Sequence, residues 1–372
     1  MAGWTPAIRG RSTGLRWTLR RHALIAFLTP VPNRAPTGSA VIRISIIIAG
    51  FLGFLLFVFF IAASGVGDVG RVMLVLGWSL APITLFHVVP LSFSAFSWRA
   101  LLPAACRPRI ATVLWVRWIR ESINSLLPVA GVGGDFVSAR LVRQRGVPGA
   151  EAAAAMVVDT TVGVATQLVF VVAGVALLVV RSSGDESLEA AYAVLIGVAM
   201  LAALIAAFVL AQHRSLFGTV VRLAHRLAPA QALMELAGGA ERADEAIVAM
   251  YRRGASLLHA SLLRLIGWAV GAGEVWLALH FLGYPFSLVD AFILESLTSG
   301  VRAAAFMVPG ALGALEGGFV LFGQMFGLTP DVAVAISLSK RVRELALGLP
   351  GLVLLQWIEG RRLLDRGGAA QA

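Results

Sequence analysis

The chain has 372 residues, of which 58% are apolar, 14% charged and 9% aromatic, with a mean hydropathy of +0.85. Soluble domains run near 25% charged, so an ordinary soluble enzyme, a disordered chain and a disulfide scaffold are excluded. The 31 Lys and Arg against 20 Asp and Glu leave +11, and the single cysteine, Cys106, makes neither an internal disulfide nor a CxxC motif.

The first 43 residues hold Arg9, Arg11, Arg16, Arg20, Arg21, Arg34 and Arg43 and no acid. Ile44–Ala63 then runs uncharged for long enough to cross a hydrocarbon core of about 30 Å. That run is too long for the apolar region of a secretory signal, so it reads as an uncleaved anchor with a cytoplasmic N-terminus. Val72 to about Trp98 returns inward to Arg99, Arg107 and Arg109. Gly149–Val180 crosses outward to Asp185, Glu186 and Glu189, and Ala190–Ala211 comes back. Gln212–Ala255, with six arginines and four acids, is a cytoplasmic loop carrying an amphipathic helix over Glu235–Arg252. Ser256–Leu282 goes out, Pro330–Trp357 returns, and Arg361, Arg362 and Arg366 close the chain inside. This path puts 22 cations in cytoplasmic segments, two outside and seven at membrane depth. Basicity therefore reports topology and anionic inner-leaflet lipid, not nucleic acid.

Residues 110–143 and 289–326 fit no simple span. Each is apolar, interrupted by Pro and Gly, and charged, so each reads as a hairpin that enters and leaves on one face. Such backbone is tolerated only where protein or a cavity surrounds it. The two hairpins correspond. Glu121-Ser122-Ile123-Asn124-Ser125, Pro128, Asp135 and Gly146 match Glu295-Ser296-Leu297-Thr298-Ser299, Pro309, Glu316 and Gly327, with seven residues from Pro to acid and eleven from acid to Gly in both. The second copy is longer by seven residues before its Pro, about two helical turns. With the surrounding spans, residues 44–180 and 190–357 have the same order and opposite orientation. The predicted fold class is an all-α polytopic membrane protein: a 3+3 inverted repeat with about six full spans and two re-entrant hairpins, the plan that sets binding sites at broken helices near the midplane.

Charge at membrane depth costs a few kcal/mol, so such residues face protein, water or a ligand. The first hairpin offers Arg117, Arg120, Glu121, Asn124 and Asp135; the second offers Glu295, Arg302 and Glu316. Asp159 and the run Lys340, Arg341, Arg343, Glu344 lie on the long helices that follow. Arg117 with Glu121, Arg120 with Asn124 and Lys340 with Glu344 have i,i+4 spacing. Arg264, Glu274, His87 and His280 complete the set, the histidines as core or interface residues. A single charge of this kind is ordinarily half of a buried ion pair. Three cations within four residues at mid-span point to an anionic ligand such as a phosphate head group. No HExxH, HxxxH or cysteine cluster is present, so neither a metal nor a cofactor is expected. Gly313 and Gly317 read as close helix packing.

Leu127-Pro128, Gly133-Gly134-Asp135, Arg140-Leu141-Val142 and Gly146-Val147-Pro148 resemble the flippase-like membrane family that includes the transmembrane region of lysylphosphatidylglycerol synthases. Pro309-Gly310-Ala311-Leu312-Gly313, Glu316-Gly317-Gly318 and Ser339-Lys340-Arg341-Val342-Arg343-Glu344 resemble its hopanoid-associated subgroup. The resemblance covers roughly residues 40–360 and implies movement of a lipid or lipid-linked substrate across the bilayer. In those synthases aminoacyl transfer belongs to a soluble C-terminal domain. With this chain ending at Ala372, no such activity is expected. The expectation is a non-enzymatic bacterial inner-membrane flippase for an amphipathic lipid, with membrane lipid and lipid-biosynthesis enzymes as partners. A head-group-modifying enzyme and a scaffold docking through 212–255 are the alternatives. The candidate substrate site is Arg120, Glu121, Asn124, Asp135, Asp159, Glu295, Arg302, Glu316, Lys340, Arg341, Arg343 and Glu344.

Overall fold

A nearly continuous helical stretch opens the described part of the chain: α1 (Val66–Leu76), a 3-10 turn (Gly77–Ser79), α2 (Leu80–Phe86) and α3 (Val88–Leu101). A shorter pair follows, α4 (Ile110–Leu126) and α5 (Gly133–Arg143), then the long α6 (Gly149–Arg181). The later part holds α7 (Ala230–Arg252), α8 (Gly254–Phe281), a second short pair α9 (Leu288–Ala304) and α10 (Ala314–Gln324), and the long α11 (Pro330–Ala369). This computed structural model describes residues 55, 58–59, 66–127, 133–181, 230–305 and 308–369, without the side chains of 230–240, 309 and 359–369. The basic tail 1–43, all but three residues of the expected span 44–63, the acidic turn at Asp185 and the expected span 190–211 lie outside these residues. Everything described falls in one compact unit, residues 48–372, and every regular element among the described residues is a helix.

Among the described residues, three stretches are long and apolar enough to cross a membrane: Val66–Leu101, Gly149–Arg181 and Gly254–Phe281. They match three expected spans, with the first starting six residues earlier than the hydropathy break suggested. The last expected span lies inside α11, which runs on to Ala369 and carries Lys340–Glu344 in its apolar part. The hairpin pairs are alike. α4 and α9 have 17 residues each, and α5 and α10 have 11 each. At 1.5 Å per residue these rise about 26 and 17 Å, short of a hydrocarbon core of about 30 Å.

Local chemistry sets the breaks. Leu127 is extended (φ −101°, ψ 143°), as the residue before a proline must be, and α4 ends there. Ser287 caps α9: its Oγ accepts from Asp290 N at 3.1 Å, while Ser287 N donates to Asp290 Oδ2 at 3.3 Å. The turns from α5 to α6 and from α10 to α11 share one design. Gly146 (φ +96°) and Gly327 (φ +75°) take the left-handed conformation. The next residue's amide then reaches back five residues, Val147 N to Val142 O at 3.3 Å and Leu328 N to Gly323 O at 3.0 Å. A proline then opens each long helix.

The seven-residue difference between the hairpins is divided in two. The Glu-Ser box sits one helical turn earlier in α9 than in α4, and the rest lengthens the connection to α10. Gly313 is not a packing glycine: it holds φ +75° and caps α10, and it is Gly318 that packs on Val301.

The halves interlock. α4 runs antiparallel to α11, with Leu126 against Gly348 and Ser122 against Gly351. α9 runs antiparallel to α6, with Gly300 against Val171 and Ser296 against Gly174. Thus the serine of each Glu-Ser box seats on a helical glycine of the other half's long helix. α3 and α8 also cross antiparallel, with Gly267 on Phe93 and Gly273 on Phe86. Two main apolar cores result, besides a smaller cluster of Val175, Leu178, Ile293 and Leu297. One gathers around Trp98, Val116, Ile119 and Val158, covered by Ile247 and Met250 of α7; the other gathers around Leu279, Leu294, Phe319 and Ile336. A charged layer lies between them.

Candidate functional site

Reading along α8 crosses this layer. Ala260 belongs to the first core, Arg264, Gly267, Trp268, Gly271 and Glu274 face a cavity, and Val275, Ala278 and Leu279 belong to the second core. The cavity thus sits at the middle of a membrane-length helix. Its volume is about 400 Å³, within the range of small-molecule sites (about 300–1,000 Å³). Five cations (Arg117, Arg264, Arg302, Lys340, Arg343), three acids (Glu121, Glu274, Glu295) and His87 line it, beside apolar Leu91, Trp268 and Leu315.

Ion pairs between distant helices fix the walls. Asp159, fully buried on α6, receives Arg117 Nη1 at 2.9 Å, Arg264 Nη2 at 2.7 Å and Arg120 Nη1. Arg120 also pairs with Asp135. Across the cavity Glu274 receives Arg343 Nη1 at 2.6 Å and abuts His87, and Arg343 Nη1 lies 2.7 Å from His87 Nδ1. Lys340 Nζ donates to both oxygens of Glu295 at 2.7 Å. Glu344 gathers Arg302 at 3.0 Å and Arg341 at 3.2 Å. Each group loses hydration on burial and regains the energy only through such contacts.

The hairpin acids occupy matching places. Asp135 is the third residue of α5 and Glu316 the third of α10. Glu316 Oε2 accepts from Gly313 N at 2.7 Å and Oε1 pairs with Arg341 at 3.3 Å. In the first hairpin Asn124 Oδ1 accepts from Gly134 N at 2.8 Å. Chains of alternating charge therefore leave each hairpin bend: Asp135–Arg120–Asp159 and Glu316–Arg341–Glu344.

Of the residues expected at the site, Glu121, Glu295, Arg302, Lys340 and Arg343 line the cavity. Arg120, Asn124, Asp135, Asp159, Glu316, Arg341 and Glu344 stand behind it. Arg341 turns away, donating to Gly310 O at 2.6 Å. The i,i+4 pairs are not formed as ion pairs: Lys340 reaches Glu295 rather than Glu344, Arg117 reaches Asp159 rather than Glu121, and Asn124 bonds Gly134 rather than Arg120. Arg117, Arg264, Glu274 and His87, first seen only as charges at depth, belong to the lining, with Gln167, Ser94 and Thr298. Their signal was a polar side chain inside an apolar helix. His280 stacks on Trp276 away from the cavity.

A family model, lysylphosphatidylglycerol synthase TM region, matches residues 42–351. No curated protein and no solved structure matches the chain.

Proposed function

The chain belongs to the lysylphosphatidylglycerol synthase transmembrane-region family, and from that premise we propose that it is a multi-pass protein of the bacterial inner membrane that moves an amphipathic lipid between leaflets. The observation that carries this reading is the charged cavity at mid-helix depth, lined by five cations and three acids. A polar head group crossing the hydrocarbon core needs such a shelter, since an unsolvated polar or charged group costs several kcal/mol there. Lys340, Arg343, Arg264 and Arg117 offer donors to a phosphate-bearing head group. No covalent change is required of the lipid.

The alternation of equal-length hairpins, the antiparallel crossing of α3 and α8 and the reciprocal seating of Ser122 on Gly351 and Ser296 on Gly174 support a 3+3 inverted repeat of about six spans. In that arrangement the hairpins enter from opposite faces and both termini lie in the cytoplasm. The subgroup resemblance adds a hopanoid with a polar head to the lipids to be tried.

The test is reconstitution. Purified protein in liposomes carrying labelled phosphatidylglycerol, labelled phosphatidylethanolamine or a labelled hopanoid is scored for leaflet exchange and for new chemical species. Exchange at least tenfold above protein-free vesicles, without new species, is the expected result. New species would make the protein a lipid-modifying enzyme. Neither exchange nor new species, with lipid-synthesis enzymes co-purifying, would make it a scaffold.

A further inference from the structure

The cavity's cations are all engaged, but one of its acids is not. Arg117 and Arg264 hold Asp159, Arg302 holds Glu344, Lys340 holds Glu295 and Arg343 holds Glu274. The Glu121 carboxylate makes no hydrogen bond or ion pair with a described residue, although it lies one turn from Arg117 on α4. It borders the main cavity and also a small adjoining one shared with Ser122, Glu344 and Gly348. The charges that act on it come from every element around it: Arg117 on its own helix, His87 at the α2–α3 junction, Arg302 on α9 and Arg343 on α11, with Glu344 across the small cavity.

Charge balance gives this free carboxylate its role. The ion-pair network around the cavity, taken with Glu121, comprises seven cations (the five of the cavity with Arg120 and Arg341) and seven acids (Glu121, Asp135, Asp159, Glu274, Glu295, Glu316, Glu344). With His87 neutral and the six ion-paired acids charged, the set sums to zero only while Glu121 is charged too. A phosphodiester head group brings one negative charge. In a medium of low dielectric an unbalanced charge is costly, and the entering anion competes for the same cations that face Glu121. A like charge beside a carboxylate favours its protonated form.

We propose that Glu121 couples a proton to the lipid: as a monoanionic head group enters the cavity, the Glu121 carboxylate takes up one proton from solution, and both leave together on the other side. The inference rests on the translocation reading, and it supplies that reading with an energy source, a proton gradient. No covalent bond changes; one proton and one anion enter and one of each leaves. Binding of the anion and of the proton are linked reciprocally, each strengthening the other by the same factor.

Binding tests this without transport. The probes are dihexanoylphosphatidylglycerol and sn-glycerol 3-phosphate, added to the detergent-purified full chain in weakly buffered solution with a pH indicator. The wild type is expected to take up about one proton per bound lipid, and its affinity to fall roughly tenfold per pH unit through the titration, as one linked proton requires. Glu121→Gln is expected to bind the lipid with no proton uptake, to show a flat affinity from pH 5 to 8, and at pH 8 to bind at least tenfold more tightly than the wild type. No lipid binding, no proton uptake by the wild type, or undiminished uptake by Glu121→Gln overturns the proposal, as does loss of uptake in His87→Gln with retention in Glu121→Gln. Glycerol phosphate binding as tightly as the lipid overturns it too, by assigning the cavity to a soluble anion. Proton-linked binding without leaflet exchange in liposomes would sink the translocation reading and leave the linkage standing.

Discussion

Asp159 shows how the buried charges work at the level of one residue. A single carboxylate with no exposed surface anchors guanidiniums from α4 and α8, and so joins the two halves beside the cavity. Breaking a buried ion pair by removing one partner costs about 3–5 kcal/mol, because the other charge is left unmatched. Asp159→Ala is therefore expected to lose stability by that amount, read as unfolding in mixed detergent. Arg302→Ala is expected to lose less, since Glu344 keeps Arg341 at 3.2 Å. Equal losses would show that Asp159 has no special place. The residue types at the site were legible in the sequence, since charge inside apolar segments is conspicuous. Their partners were not. Arg264 and Asp159 are 105 residues apart and Arg343 and Glu274 are 69 apart, and helical spacing proposes only local pairs.

Among the elements, the hairpins were the most legible feature. Pro128, Gly146 and Gly327 each stop or turn a helix by a rule that acts on neighbouring residues alone, and Pro309 opens the 3-10 turn before α10. The partner of each hairpin was not legible, because helix-on-helix choice depends on surfaces built from both. The structure gives that choice a steric key. A Cβ on Gly174 would lie 1.6 Å from Ser296 Oγ, and one on Gly351 would lie 2.0 Å from Ser122 Oγ. Small residues at such crossings let backbones approach. Gly174→Ala and Gly351→Ala are expected to cost about 1–3 kcal/mol each, the range for overpacking. Adding Ser296→Gly to the first and Ser122→Gly to the second is expected to recover most of the loss. Thermal unfolding of the single and paired variants decides it: pairs no better than singles would remove these contacts as the key.

For the whole molecule, the proposed topology divides the +11 charge into a cytoplasmic excess and a balanced set around the cavity. The proposed inverted arrangement makes a direct forecast. Single cysteines at 145 and 327, in a Cys106→Ser background, are expected to react with an impermeant reagent from the cytoplasmic and the outer face respectively. Reaction from one face only would rule out opposite hairpins. The central claim is that the lipid passes through the mid-membrane cavity, and Gly271 offers its most direct test. Gly271 lines the cavity and a Cβ added there meets nothing within 4 Å, while Gly70, on exposed α1, is equally open. Phenylalanine at 271 projects into the cavity from a position open at Cβ, and at 70 it stands outside it. In liposomes, Gly271→Phe is expected to exchange labelled lipid at least tenfold more slowly than the wild type at an unchanged melting temperature, with Gly70→Phe at the wild-type rate. Exchange by Gly271→Phe as fast as by the wild type would contradict the account.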